Sequence, residues 1–150
     1  MDDITIALRL GAAMAAGAVL GVNRDLRRKP AGVRTHSLVA IGSAMVVLAA
    51  ILVGGSADSV SRVLQGLITG IGFLGAGVII HHEAERRIEG LTTAASIWVA
   101  AGMGAACGAG LVTLVAFAIV AAMIVLLVGG PLEHWLERVA RRIEEKKKSG

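Results

Sequence analysis

The sequence predicts an all-α membrane protein: a bundle of five transmembrane helices followed by a C-terminal amphipathic helix on the cytoplasmic side. Three observations predict it. Mean hydropathy is +0.75 and 55% of the 150 residues are apolar, far above ordinary globular composition. Residues 37–55, 63–80 and 90–130 contain no Asp, Glu, Lys, Arg or His, and each run reaches the roughly 17–25 residues that a spanning helix needs. The basic residues fall in clusters between these runs, as they do in short cytoplasmic loops.

The first span is expected at residues 4–22. Asp2 and Asp3 precede it and Arg9 interrupts it, whereas a removable signal peptide places basic residues ahead of its apolar stretch. The Ala13-Met14-Ala15 likeness to a cleavage site is therefore read as incidental. The second span is expected at 35–54 and the third at 63–80. The uncharged stretch 90–130 would be about 60 Å long as one helix, twice the roughly 30 Å hydrocarbon core. A break at Gly108-Ala109-Gly110 divides it into a fourth span at 92–107 and a fifth at 111–128.

Charge tests the count. With five spans and an external N-terminus, the cytoplasmic segments hold Arg24, Arg27, Arg28, Lys29, Arg34, Arg86, Arg87, Arg138, Arg141, Arg142, Lys146, Lys147 and Lys148, which is 13 of the 15 basic residues. Arg62 falls in an external loop, and Arg9 snorkels toward the outer interface. Orientation thus accounts for the net charge of +4, and nucleic acid is not an expected partner: aromatics are 3% with no Tyr, which removes the stacking platforms single strands use.

Two domains follow: residues 1–130 as the transmembrane bundle, and 131–150 as an amphipathic helix with a basic tail. Pro131 suits a helix start, and Leu132, Trp135, Leu136, Val139 and Ile143 recur at helical spacing opposite a charged face. Such a helix lies along the anionic inner surface of the bilayer or binds a partner.

Glycines supply close helix contacts in lipid, where backbone approach drives association. Gly17 and Gly21, Gly66 and Gly70, and Gly104 and Gly108 form small-xxx-small pairs; Gly72, Gly75 and Gly77 add to the third helix. They serve packing inside one chain or a homodimer seam. Gly70-Ile71-Gly72-Phe73-Leu74-Gly75 matches the dinucleotide fingerprint in letters only, since that motif follows a strand and opens a helix. Cys107, the one cysteine, reads as a small packing residue.

Catalysis finds no arrangement of nucleophile, base and acid, and no cofactor or metal is expected. His81-His82-Glu83-Ala84-Glu85 could ligate a transition metal, but reads first as a solvated loop and suits magnesium poorly. No carboxylate lies inside a span, which weighs against direct Mg²⁺ passage.

Polar residues gather instead where the first helix ends and the second and fourth begin: Asn23, Arg24 and Asp25; Arg34, Thr35 and His36; Thr92, Thr93 and Ser96. Gln65 and Thr69 lie toward the outer half of the third helix. One reading makes the gathered groups caps and interface anchors. The other makes them a cytoplasm-facing pocket where Arg24 and Arg34 bind an anionic group or pair with Asp25.

Gly21-Val22-Asn23-Arg24-Asp25, Ala31-Gly32-Val33-Arg34-Thr35-His36, Gly70 to Gly77, and Gly90-Leu91-Thr92-Thr93-Ala94-Ala95-Ser96-Ile97-Trp98 resemble the ordered signatures of the MgtC/SapB family, over residues 5 to 128. The resemblance implies a bacterial inner-membrane protein tied to adaptation to low magnesium and, in intracellular pathogens, to survival in phagocytes. Members have been viewed as magnesium transporters and as regulators of membrane energetics that restrain the F-type ATP synthase. Many relatives place Glu at the position of Asn23, making Asp25 the nearest carboxylate here. The soluble ACT-like C-terminal domain of virulence-associated relatives is not expected in these 150 residues. The expected function is non-enzymatic regulation of ion homeostasis through the bilayer and a membrane partner; the alternative is a channel or carrier for Mg²⁺ or another small ion or solute.

Overall fold

The computed structural model describes residues 1–82 and 87–148. Helices α1 (Asp3–Leu26), α2 (Val33–Leu52), α3 (Ala57–Gly77), α4 (Leu91–Ala109) and α5 (Val112–Lys148) carry the chain, with strands β1 (Ile80–His82) and β2 (Arg87–Glu89) between α3 and α4. All five helices are long and apolar enough to cross a membrane. The two strands pair antiparallel, Ile80 opposite Glu89 and His82 opposite Arg87. The backbone of His81 and His82 is thus extended ribbon rather than loop, and Glu83, Ala84 and Glu85 of the metal-ligand reading lie outside the described residues.

Local chemistry explains where the helices end. α1 closes in a Schellman turn: the Lys29 N–H donates to the Arg24 carbonyl at 3.0 Å and the Arg28 N–H to the Asp25 carbonyl at 3.0 Å. Arg28 takes the left-handed position, φ +52°, usually given to glycine, and Pro30 follows it. α4 stops in the same way at Gly110, φ +83°, with Leu111 N–H bonded to the Ala106 carbonyl at 2.8 Å. The expected break is therefore present. Run 63–80 predicts the third span, but α3 begins at Ala57 because Ser56 caps it, its hydroxyl accepting from Ser59 N–H; a helix begins at its cap, not where charge stops.

The fifth helix departs furthest from expectation. It runs unbroken past Pro131, so no separate helix starts there. Proline lacks the N–H that would bond the carbonyl four residues back. That carbonyl belongs to Leu127, and the Arg27 guanidinium donates to it at 3.4 Å.

α2 packs along both α1 and α4, which also meet each other, so these three helices form the centre. Ala13, Ala16, Leu20, Ala40, Ala44, Ala100, Met103 and Cys107 fill it. Most are small, as helix association in lipid requires. In the apolar window of α4 56% of residues are buried, against 6% in each of α3 and α5, which lie at the edge.

The small-xxx-small pairs divide accordingly. A Cβ on Gly17 would stand 2.5 Å from the His36 carbonyl oxygen, one on Gly21 would overlap the Val33 backbone, one on Gly104 the Ala40 carbonyl, and one on Gly108 would stand 2.6 Å from the Ala44 carbonyl oxygen. These four glycines seat α1 and α4 on α2. Gly66, Gly70, Gly72 and Gly77 have nothing within 4 Å, and Gly75 only the Ala94 methyl at 3.6 Å. Among the described residues Gly66, Gly70, Gly72 and Gly77 therefore do not serve packing inside this chain, because α3 leaves them exposed, whereas Gly75 faces α4.

Candidate functional site

α1 ends where α2 and α4 begin, and the three termini hold a buried polar network. Arg24, in the last turn of α1, is 4% exposed, and His36 on α2 is fully buried. Thr93 and Ser96 on α4 are also buried, three residues apart on one face of the helix.

The Arg24 guanidinium donates through Nη2 to Thr93 Oγ1 at 2.6 Å, a contact between residues 69 positions apart. Thr93 also accepts at its backbone carbonyl from Ser96 Oγ at 2.8 Å. Ser96 Oγ lies 2.9 Å from His36 Nε2, and His36 Nδ1 lies 3.0 Å from the Gly32 carbonyl. A carbonyl can only accept, so Nδ1 carries a proton; in the neutral ring Nε2 then accepts, and the single Ser96 proton has two acceptors within reach. The chain of bonds ties α1, α4 and α2 together at one level.

Among the described residues, two buried side-chain atoms near the end of α1 have no partner: Arg24 Nε and Asn23 Oδ1. Among the described residues the Arg24 side chain bonds only to a neutral hydroxyl. A buried cation of this kind is costly in or near lipid unless a counter-charge or further hydrogen bonds offset it. Arg24 thus keeps an unused donor, suited to a small group that accepts hydrogen bonds, and Asn23 an unused acceptor.

The remaining residues of the predicted cluster lie apart from this network. Asp25 does not hold Arg24: it is exposed and its Oδ2 accepts from the Val33 N–H at 2.9 Å, capping α2. A Cβ on Gly32 would overlap the Asp25 carboxylate, so a side chain there would displace this cap. Arg34 and Thr35 are exposed and line a separate open cleft of about 320 Å³ with Asp25 and Gly32. Thr92 is exposed as well. The predicted set thus divides into a buried network of Arg24, His36, Thr93 and Ser96, a buried Asn23 not bonded to it, and an outer rim.

Sequence reasoning missed two arginine contacts. Arg9 Nη1 donates to the Gly108 carbonyl at 2.7 Å, closing the C-terminal end of α4. Arg27 covers the Leu127 carbonyl. Pro131 signals in the sequence that a carbonyl four residues back is free, but nothing in the sequence names its partner.

Comparison with known proteins follows the same stretch of chain. The MgtC family profile matches residues 10–135. Protein SrpB of Synechococcus elongatus is 43% identical over 121 residues, 73% of this chain and 66% of that protein. An uncharacterised protein of Haemophilus influenzae is 36% identical over 149 residues, 94% of this chain and 62% of its own length. Protein MgtC of Salmonella typhimurium is 45% identical over 103 residues, covering 69% of this chain and 43% of that protein. The chain therefore spans less than two thirds of the length of these curated relatives. No solved structure matches it. With five apolar helices and a match over most of its length, the chain is a multi-pass membrane protein and belongs to the MgtC family.

Proposed function

We propose that this chain is a non-catalytic protein of the bacterial inner membrane that supports adaptation to low magnesium, and survival inside host cells where that arises, by regulating membrane energetics. Its partner by family likeness is a membrane complex such as the F-type ATP synthase. The N-terminus lies outside and the C-terminus in the cytoplasm, a reading supported by the segregation of Lys and Arg. The polar network then faces the cytoplasm.

The observation that carries the proposal is Arg24, a buried guanidinium bonded to a neutral hydroxyl at the point where α1, α2 and α4 meet. A fixed positive charge there repels a divalent cation, and no span supplies the carboxylates that would offset it. The same charge, with its unused Nε–H, suits recognition of an anionic or carbonyl group on a ligand or partner. The rim of Arg34 and Thr35 extends the surface available to it.

The stretch of α5 beyond Pro131 extends this reading. At 1.5 Å per residue the 37-residue helix is about 55 Å long, well beyond a roughly 30 Å core. Its exposed Leu132, Trp135, Leu136 and Ile143 are available to the cytoplasmic membrane surface or to the partner.

Two measurements on the full chain test the proposal. In liposomes, purified protein is expected to pass no Mg²⁺ above empty vesicles. In cells limited for magnesium, Arg24→Met is expected to insert normally and to lose growth support and the associated change in ATP level. Robust Mg²⁺ flux from the purified protein would establish a carrier instead, and normal growth with Arg24→Met would reduce the network to a structural tie.

A further inference from the structure

α3 is amphipathic in the reverse sense for a helix at the edge of a membrane bundle. Val60, Leu64, Leu67 and Ile71 face α2 and α4 across an apolar groove of about 240 Å³, and Ile71 is buried. The opposite face carries Asp58, Arg62, Gln65, Gly66, Thr69, Gly70 and Gly77, all exposed, with Phe73, 84% exposed, as the one large apolar side chain among them. At about 100° per residue these positions fall within an arc of roughly 140° centred opposite Ile71. The polar and smallest residues of the span thus point outward.

That face is unsuited to lipid. Gln65 lies about 12 Å along a helix of roughly 31 Å, within the uncharged run that begins after Arg62. Its amide makes no hydrogen bond among the described residues, while its backbone carbonyl accepts from Thr69 Oγ1 at 2.9 Å. An unpaired amide in hydrocarbon is costly, and a neighbouring helix is the usual remedy. Gly66 and Gly70, with nothing within 4 Å, leave room for that helix to approach backbone to backbone. The corresponding glycines of α1 and α4 already have such a neighbour in α2.

We infer that the outward face of α3 is the interface of a parallel homodimer, with the occupant a second copy of this chain. The pattern of charge selects it. Two copies inserted with the same orientation bring identical depths together about a two-fold axis along the membrane normal, so every contact is made twice. Asp58 and Arg62 stand one turn apart on the face, so each copy offers its acid to the other's base near the end of the crossing. Deeper, Gln65 holds both donor and acceptor and can pair with its own counterpart. The flanking glycines set the approach at that depth. One helix therefore contains both halves of the complementarity.

Cysteine cross-linking of the full chain in membranes tests this, in a Cys107→Ala background. Gly66→Cys and Thr69→Cys are expected to give dimers on oxidation, whereas Leu67→Cys, facing the bundle, and Val120→Cys, equally exposed on α5, are not. Gly70→Leu is expected to weaken association at least tenfold in a vesicle dilution assay by energy transfer, with monomer unfolding unchanged because no atom of the chain is near. Asp58→Arg and Arg62→Asp are each expected to weaken it, and the double exchange to restore it. Dimers no more abundant at 66 and 69 than at 120, cross-links only to a different protein, or failure of the double exchange to restore association would each overturn the inference.

Discussion

Replacing Thr93 by Val tests whether the buried network is held together by charge. The two side chains have nearly the same shape, so the change opens no cavity and removes only the hydroxyl. Thr93 Oγ1 is the acceptor for Arg24 at 2.6 Å, and Arg24 Nε is already without a partner. A hydrogen bond to a charged group is worth about 1.5–3 kcal/mol, so Thr93→Val should cost about 2 kcal/mol, roughly a 30-fold drop in the folded-to-unfolded ratio. Arg24→Met should behave differently. It removes the desolvated cation and keeps most of the volume, so its cost should stay below about 1 kcal/mol. In that background Thr93→Val should cost no more than about 0.5 kcal/mol, leaving a coupling near 2 kcal/mol between the two positions. Equilibrium unfolding in mixed micelles, followed by Trp fluorescence and ellipticity, measures all four proteins. Thr93→Val within about 0.5 kcal/mol of the parent, or a cost that persists in Arg24→Met, would refute the reasoning.

Two glycine positions on α4, two residues apart, give a sharper contrast. Gly104→Ala should destabilise by about 1–3 kcal/mol, because its methyl would overlap the Ala40 carbonyl and overpacking costs that much. Gly102→Ala, with nothing within 4 Å, should be neutral or slightly stabilising in the same unfolding assay. At the proline, Pro131→Ala restores an N–H for the Leu127 carbonyl and should slow amide exchange across residues 127–135. Arg27→Ala should speed that exchange only when Pro131 is present; an equal effect in both backgrounds would remove Arg27 from the role of covering that carbonyl.

The sequence by itself determined the number of spans, the break near Gly110 and the set of residues from which the polar network is drawn. Each of these depends on local properties: a run without charge cannot be solvated in loops and can cross lipid, and a glycine in the left-handed region ends a helix. The tertiary structure decided which of those residues act. Asn23, Arg24 and Asp25 are consecutive, yet the first two are buried, Arg24 in the network, and the third turns out to cap α2, because successive helical positions point about 100° apart. The Gly17, Gly66 and Gly104 pairs have the same spacing, but only the first and last meet a neighbour within the chain. Spacing fixes a face of a helix; what that face meets depends on packing partners far away in sequence. The same holds for Arg9, Arg27 and the unbroken path through Pro131. An arginine can bond any free carbonyl within its reach, and only the arrangement of α1 against α4 and α5 places Gly108 and Leu127 there.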